Sequence, residues 1–279
     1  LLVLAYNMYA NNVESVFNVA AGMEIFHNFT LLHDDVMDKA DVRRGSPTVH
    51  KKWNENTAIL SGDGMLVLAY QYLAQCNPSY LKQILDLAND TFIGITDGQQ
   101  FDMDFETRND VSELEYLEMI RLKTSILLAA CLKMGAILGG ASEEDANLLY
   151  SFGEKLGLAF QLQDDLLDVY GDVKVFGKRI GGDIVCNKKT YMYINTCLLA
   201  SDEERAILAK WAQYEGDDVD AKIEAVKGVY DSVGIKGKAE AKIEELFNEA
   251  MSLLNKVSVL EEKKSVLREY ALSLMNRVL

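Results

Sequence analysis

Apolar residues recur at three- and four-residue intervals through long windows of the chain, as at Leu114, Leu117 and Ile120 and in the run Ser125 to Leu132. That period predicts helices with one face turned inward, and alternating patterns of strand type are hardly present. Ser112 followed by Glu115 has the form of a capping box, Ser142 before Glu143, Glu144 and Asp145 marks a second helix start, and Gly139-Gly140 is a plausible stop between them. Proline occurs only at Pro47 and Pro78, and no Ser- or Pro-rich linker separates two halves. The expectation is one compact all-α domain over residues 1–279. The C-terminal third (KIEAVKGVYDSVGIKGKAEAKIEELFNEAMSLLNKVSVL) mixes Lys and Glu around an apolar stripe and reads as solvated helices covering the core, with no chemistry of its own. The opening LLVLAYNMYA, without a basic region or a small-residue cleavage site, reads as a buried helix whose upstream part is absent, so the natural N-terminus is expected to be missing.

With 279 residues, 49% apolar and 25% charged, the chain has the balance of a globular protein with a sizeable core. A formal net charge of -15 speaks against nucleic acid or an anionic membrane as main partner, and an anionic substrate would need local basic groups or metal ions. Cys76, Cys131, Cys186 and Cys197 show no CxxC spacing and predict reduced thiols in a cytoplasmic protein rather than a zinc site. Only three histidines are present, which leaves the chemistry to carboxylates, lysine and arginine. Uninterrupted apolar runs fall short of the roughly 20 residues of a membrane span, so none is expected.

The sharpest local feature is HDDVMD, which places Asp34, Asp35 and Asp38 inside an apolar helical run. At helical pitch Asp34 and Asp38 share a face about 6 Å apart along the axis, where like charges repel. The pattern returns as DDLLD at Asp164, Asp165 and Asp168. One copy alone could as well be an N-terminal helix turn with acids near the positive dipole end, or a solvated face, as a functional site. Two copies flanked by Leu, Val and Phe, six carboxylates in all, call for bound cations or raised pKa values. Oxygen-only ligands favour a hard cation, and Mg²⁺ commonly binds through one or two carboxylates, waters and substrate phosphates. Basic residues follow each motif, Arg43-Arg44 after the first and Lys178, Lys188 and Lys189 after the second, and a diphosphate substrate suits that pairing.

Taken together, HDDVMDKADVRRGSPTVH, Lys123-Thr124, FQLQDDLLDVYGD and FGKRIGGDIVCNKKT resemble the trans-isoprenyl diphosphate synthases, or polyprenyl synthetases, in order and spacing over nearly the whole chain. The resemblance implies an all-α isoprenoid synthase fold around a deep central cavity, the two Asp-rich motifs facing each other at its mouth, and a homodimer. It implies three Mg²⁺ ions, with Asp34 and Asp38 binding two and Asp164 a third, supported by Asp35, Asp165 and Asp168. It assigns Arg43, Lys123, Thr124, Gln161, Lys178 and Lys188 to an allylic diphosphate, and Arg44 and His27 to isopentenyl diphosphate. His27 lies two helical turns before Asp34, on the same face.

In that family the residues four and five positions before the first motif form much of the cavity floor, here Thr30 and Phe29, with Phe26 and Met23 further down the helix. This pattern resembles enzymes making a short-chain C15 to C20 product, geranylgeranyl diphosphate first and farnesyl diphosphate second. A class I terpene cyclase would share the fold and first motif, but its second metal motif normally mixes Asn or Asp with Ser or Thr and Glu. A catalytically silent regulatory subunit remains a further alternative, although both Asp sets are complete. Asp102 and Asp104 in GQQFDMDFE lack the spacing of an EF-hand and are expected near the cavity or on ordinary helix surface.

Overall fold

In the computed structural model, residues 1–171, 180–214 and 216–275 are described. The chain divides into two compact units, Leu1–Asn89 with Cys131–Ala146, and Asp90–Ala130 with Asn147–Leu279. The divisions fall inside continuous helices, so no linker in the sequence announces them.

In the first unit, α1 (Leu2–Asn7) and a single 3₁₀ turn lead into α2 (Phe17–Met37), which carries the first acidic motif at its C-terminal end. A short hairpin follows, β1 (Val42–Arg43) against β2 (Ser46–Pro47), then α3 (Val49–Lys52) and α4 (Glu55–Leu73). Asn54 caps α4 by accepting the Thr57 N–H. Two small residues let α2 lie close along α4. A methyl on Gly22 would stand 3.0 Å from the Ala69 carbonyl oxygen, and one on Gly62 would fall within the His33 ring. His33, the first letter of HDDVMD, thus seats on Gly62, with its Nε2 3.1 Å from the Ile59 carbonyl oxygen. That contact fixes the rotation of α2 and therefore the direction of the aspartates that follow. The unit is completed by the start of α5 (Leu81–Thr107), the end of α7 (Ile126–Gly139) and the first turn of α8 (Glu143–Tyr170).

The second unit begins with the rest of α5 and continues through α6 (Glu113–Ile120), a widened π turn (Arg121–Ser125) and the start of α7. Ser112 and Glu115 form the expected capping box, and Gly140, at φ +85°, ends α7. Next comes α8 (Glu143–Tyr170), whose first turn is capped where the Asp145 N–H donates to Ser142 Oγ at 3.1 Å, and which carries the second acidic motif. After it stand α9 (Gly182–Val185), α10 (Tyr191–Leu199), α11 (Asp202–Ala212), α12 (Val219–Ser232), α13 (Ile235–Lys256) and α14 (Glu261–Met275). Their buried faces meet in a core that includes Tyr116, Ile120, Leu162, Leu166, Tyr191, Val229 and Leu246.

The expectation that no segment has the length of a membrane span is corrected in one respect. Because α6, the π turn and α7 run on without a break, Glu113–Gly139 forms a 27-residue helix long and apolar enough by composition to cross a bilayer. Half of its most apolar window is buried inside the protein. Polar residues divide the apolar stretches that the sequence shows singly: Arg121 pairs with Glu118 and Glu154, and Lys123 with Asp102.

Candidate active site

The first acidic segment resolves into three different environments. Asp35 is 4% exposed, Asp34 is half-buried and Asp38 stands exposed at the C-cap of α2. Arg43 supplies the positive charge: its Nε donates to Asp35 Oδ1 at 2.7 Å and its Nη2 to Asp34 Oδ2 at 3.2 Å. The hairpin aims it there, since Arg43 pairs with Ser46 across a two-residue turn. Arg44 at φ +53° and Gly45 at φ +77° supply the left-handed pair such turns favour. His27 lies near enough to both arginines that they, after burial, lower its pKa, with Glu24 opposing, so the ring is neutral at pH 7. Among the chain-length residues, Phe26 is buried, and Phe29 packs between Phe26 and His33 with ring centroids 5.4 and 4.8 Å away. Thr30 Oγ1 donates back to the His27 carbonyl at 2.8 Å.

In the second unit a cavity of about 100 Å³ collects most of the residues expected there. Lys123 and Thr124 come from the π turn, Gln161 and Asp165 from α8, and Lys188 and Lys189 from the segment after α9. Lys178 lies outside the described residues. The polar groups are chained together. Thr124 Oγ1 donates to Gln161 Oε1 at 3.1 Å, Gln161 Nε2 donates to Asp165 Oδ1 at 3.2 Å, and the Tyr116 hydroxyl donates to Asp165 Oδ2. Asp165, like Asp35, is 4% exposed. In both motifs the middle carboxylate is thus the buried anchor, while Asp34 and Asp164 are the less enclosed.

Asp183, which sequence reasoning passed over, belongs to this cavity. Its N–H donates to Asp168 Oδ2 at 3.0 Å, and the Gly181 N–H donates to the Asp168 carbonyl at 2.6 Å. Gly181 holds this turn at φ +85°, where a side chain would also strike Ile223. The available signal was an acid directly after Gly-Gly inside a basic segment. Asp102 also lines the cavity and accepts from Lys123 Nζ at 2.7 Å, while Asp104 sits on exposed helix surface and accepts from Gln100. The two acids of DMD therefore divide between the two alternatives.

Electrostatically this cluster carries an excess of negative charge. Burial, then repulsion from Asp183, pushes the Asp165 carboxyl well above the ordinary range, against the opposing pull of Tyr116 and Gln161. Burial and Asp168 raise Asp183 to about 6 even with Lys188 opposing. The acidic side chains of the cavity fit a hard divalent cation: they offer carboxylate oxygens, and burial first and mutual repulsion second make Asp165 and Asp183 hold their protons more tightly than usual. Among the described residues no three His, Cys, Asp or Glu side chains make a closed cage.

The polyprenyl synthetase family pattern matches residues 1–229. This chain belongs to the polyprenyl synthetase family. The geranylgeranyl diphosphate synthase of Methanosarcina mazei is 45% identical to this chain over 196 residues, covering 70% of this chain and 60% of that protein. A short chain isoprenyl diphosphate synthase of Methanothermobacter thermautotrophicus is 44% identical over 188 residues, 67% of this chain and 58% of its own length. The chain thus spans about three-fifths of these relatives. A crystal structure of a geranylgeranyl pyrophosphate synthase superposes with TM-score 0.94 at 41% identity, covering 100% of this chain and 86% of that one. The all-α isoprenoid synthase fold expected from the sequence is the fold found.

Proposed function

We propose that this member of the polyprenyl synthetase family condenses isopentenyl diphosphate head-to-tail with an allylic diphosphate, releasing inorganic diphosphate and a proton and giving a C15 to C20 trans-prenyl diphosphate, geranylgeranyl diphosphate foremost. The observation that carries the reading is the cavity in which over-negative carboxylates stand beside Lys123 and Lys188. The relatives named as geranylgeranyl diphosphate synthases support the product class.

Asp34, Asp38 and Asp164, backed by Asp35, Asp165, Asp168 and Asp183, hold Mg²⁺ in this reading, three ions when diphosphate is bound. The ions supply Lewis acidity and screen charge on the leaving diphosphate. Lys123, Lys178, Lys188, Thr124 and Gln161 orient the allylic diphosphate, and ammonium charge fixed in a half-buried cavity favours breakage of the allylic C–O bond. Arg43 spends two of its five N–H donors on Asp34 and Asp35 and has the rest for phosphate oxygens. Neutral His27 donates a hydrogen bond, and Arg44 a charge, to isopentenyl diphosphate. No side-chain nucleophile is required: the isopentenyl double bond attacks the allylic cation, and the proton leaves with diphosphate. In this reading the enzyme works as a homodimer in the cytoplasm, the dimer resting on an exposed apolar stripe on α4.

Incubation with isopentenyl diphosphate, Mg²⁺ and C5, C10 or C15 allylic diphosphates in turn is expected to yield C15 to C20 products, and none in EDTA. Cyclised hydrocarbon would identify a cyclase, and no turnover a silent subunit. Asp34→Ala and Asp164→Ala should each lose about a hundredfold or more in kcat with helicity kept; near-normal rates in either would contradict the assignment.

A further inference from the structure

The turn Arg121–Ser125 that carries Lys123 and Thr124 is a π turn, wider than the helix on either side of it. Its neighbours make room with glycine. On α5, a methyl on Gly98 would fall on the Lys123 amide nitrogen and 2.8 Å from Leu122 Cβ. On α8, a methyl on Gly157 would stand 2.6 Å from Ser125 Cα and 2.7 Å from its Cβ. These obstacles include backbone, so the turn itself, not a rotamer, would have to move. Gly94 differs, because its methyl would meet only side-chain ends, Ile126 Cδ1 at 2.6 Å and Leu122 Cδ2 at 3.5 Å. Gly228 on α12 and Gly237 on α13, by contrast, have nothing within 4 Å of an added methyl.

The spacing along each neighbour repeats. Gly98 is followed four residues later by Asp102, which holds Lys123, and Gly157 four residues later by Gln161, which holds Thr124. Residues four apart share a helix face. Each helix therefore offers first a gap that admits the turn's backbone and then, one turn on, the side chain that orients the residue it presents.

We propose that Gly98 and Gly157 are positioning residues that seat the widened turn from both sides and so set where Lys123 and Thr124 stand in the cavity. The reading of what Lys123 and Thr124 hold rests on the prenyl transfer proposed above; the seating of the turn does not. Gly98→Ala is expected to raise the KM for the allylic diphosphate by roughly tenfold and lower kcat by roughly a hundredfold. The KM for isopentenyl diphosphate should stay within about twofold, a split that simple loss of folded protein does not produce. Gly228→Ala should leave every constant unchanged. Gly94→Ala should lose little, and Ile126→Val should restore what it loses. Should Gly98→Ala not fold, Gly157→Ala carries the same test, and adding Ser125→Gly, which removes atoms its methyl would meet, should recover part of the allylic KM. Wild-type kinetics in folded Gly98→Ala or Gly157→Ala, or equal rises in both KM values, would overturn the proposal. Affinity for inorganic pyrophosphate with Mg²⁺, measured alongside, reads the seating independently of turnover: a wild type that binds pyrophosphate but elongates nothing would sink prenyl transfer alone.

Discussion

The charge held by single residues decides what the site is prepared to bind. Asp183 has its carboxyl raised from 3.8 to about 6 by burial and by Asp168, so folding favours its protonated form. A raised acid contributes stability that is complete below its unfolded pKa and is lost as the pH rises through its folded pKa, here between about 4 and 6. Asp183→Asn removes that titration. In EDTA, urea unfolding of the variant relative to the native protein should improve by roughly 2 kcal/mol from pH 4 to pH 7.5. A difference that stays constant over that range would show that Asp183 is not held in this way. The sequence told which carboxylates cluster but not which are sunk. Asp35 and Asp165 occupy the same letter of their motifs and are buried alike, one against Arg43 and the other against Tyr116. Arg43 stood close by in the chain and was legible. Tyr116 lies 49 residues from Asp165, and only the packing of α6 on α8 brings it there.

At the scale of elements, helix starts were readable because capping is local chemistry: Ser112 with Glu115 and Ser142 with Asp145 need only their own neighbours. The π turn was not readable, since it exists where glycines of two other helices admit it. The position of Phe29 on α2 is intermediate between these cases. Helical spacing sets it off the stripe of Asp34, and the structure shows it packed within its own helix against Phe26 and His33. If α2 forms the floor that limits the product, Phe29→Ala removes the half-buried ring while Phe26 beneath it stays. The chain should then lengthen by at least one C5 unit, read by chromatography of the dephosphorylated products. An unchanged distribution would take Phe29 out of the floor and leave length to other elements.

For the molecule as a whole, association has to overcome charge. Each chain carries -15, so two copies repel one another and any dimer must rest on apolar contact. α4 offers that contact in Leu60, 70% exposed, and Val67, 61% exposed, seven residues apart and therefore on one face. Exposed apolar surface of that kind is what an interface between copies would use. If it is the dimer face, two consequences follow with opposite signs. Val67→Glu adds charge where apolar surface must meet its own copy, and light scattering at micromolar protein should fall from twice the chain mass of 31.2 kDa to one. Raising salt, by contrast, shortens the reach of the mutual repulsion from about 10 Å at 0.1 M to about 3 Å at 1 M and should tighten the native dimer. A native protein that weighs as one chain, or a Val67→Glu variant that still weighs as two, would remove α4 from the interface. Dissociation that increases with salt would mean that ion pairs, rather than this stripe, hold the copies together.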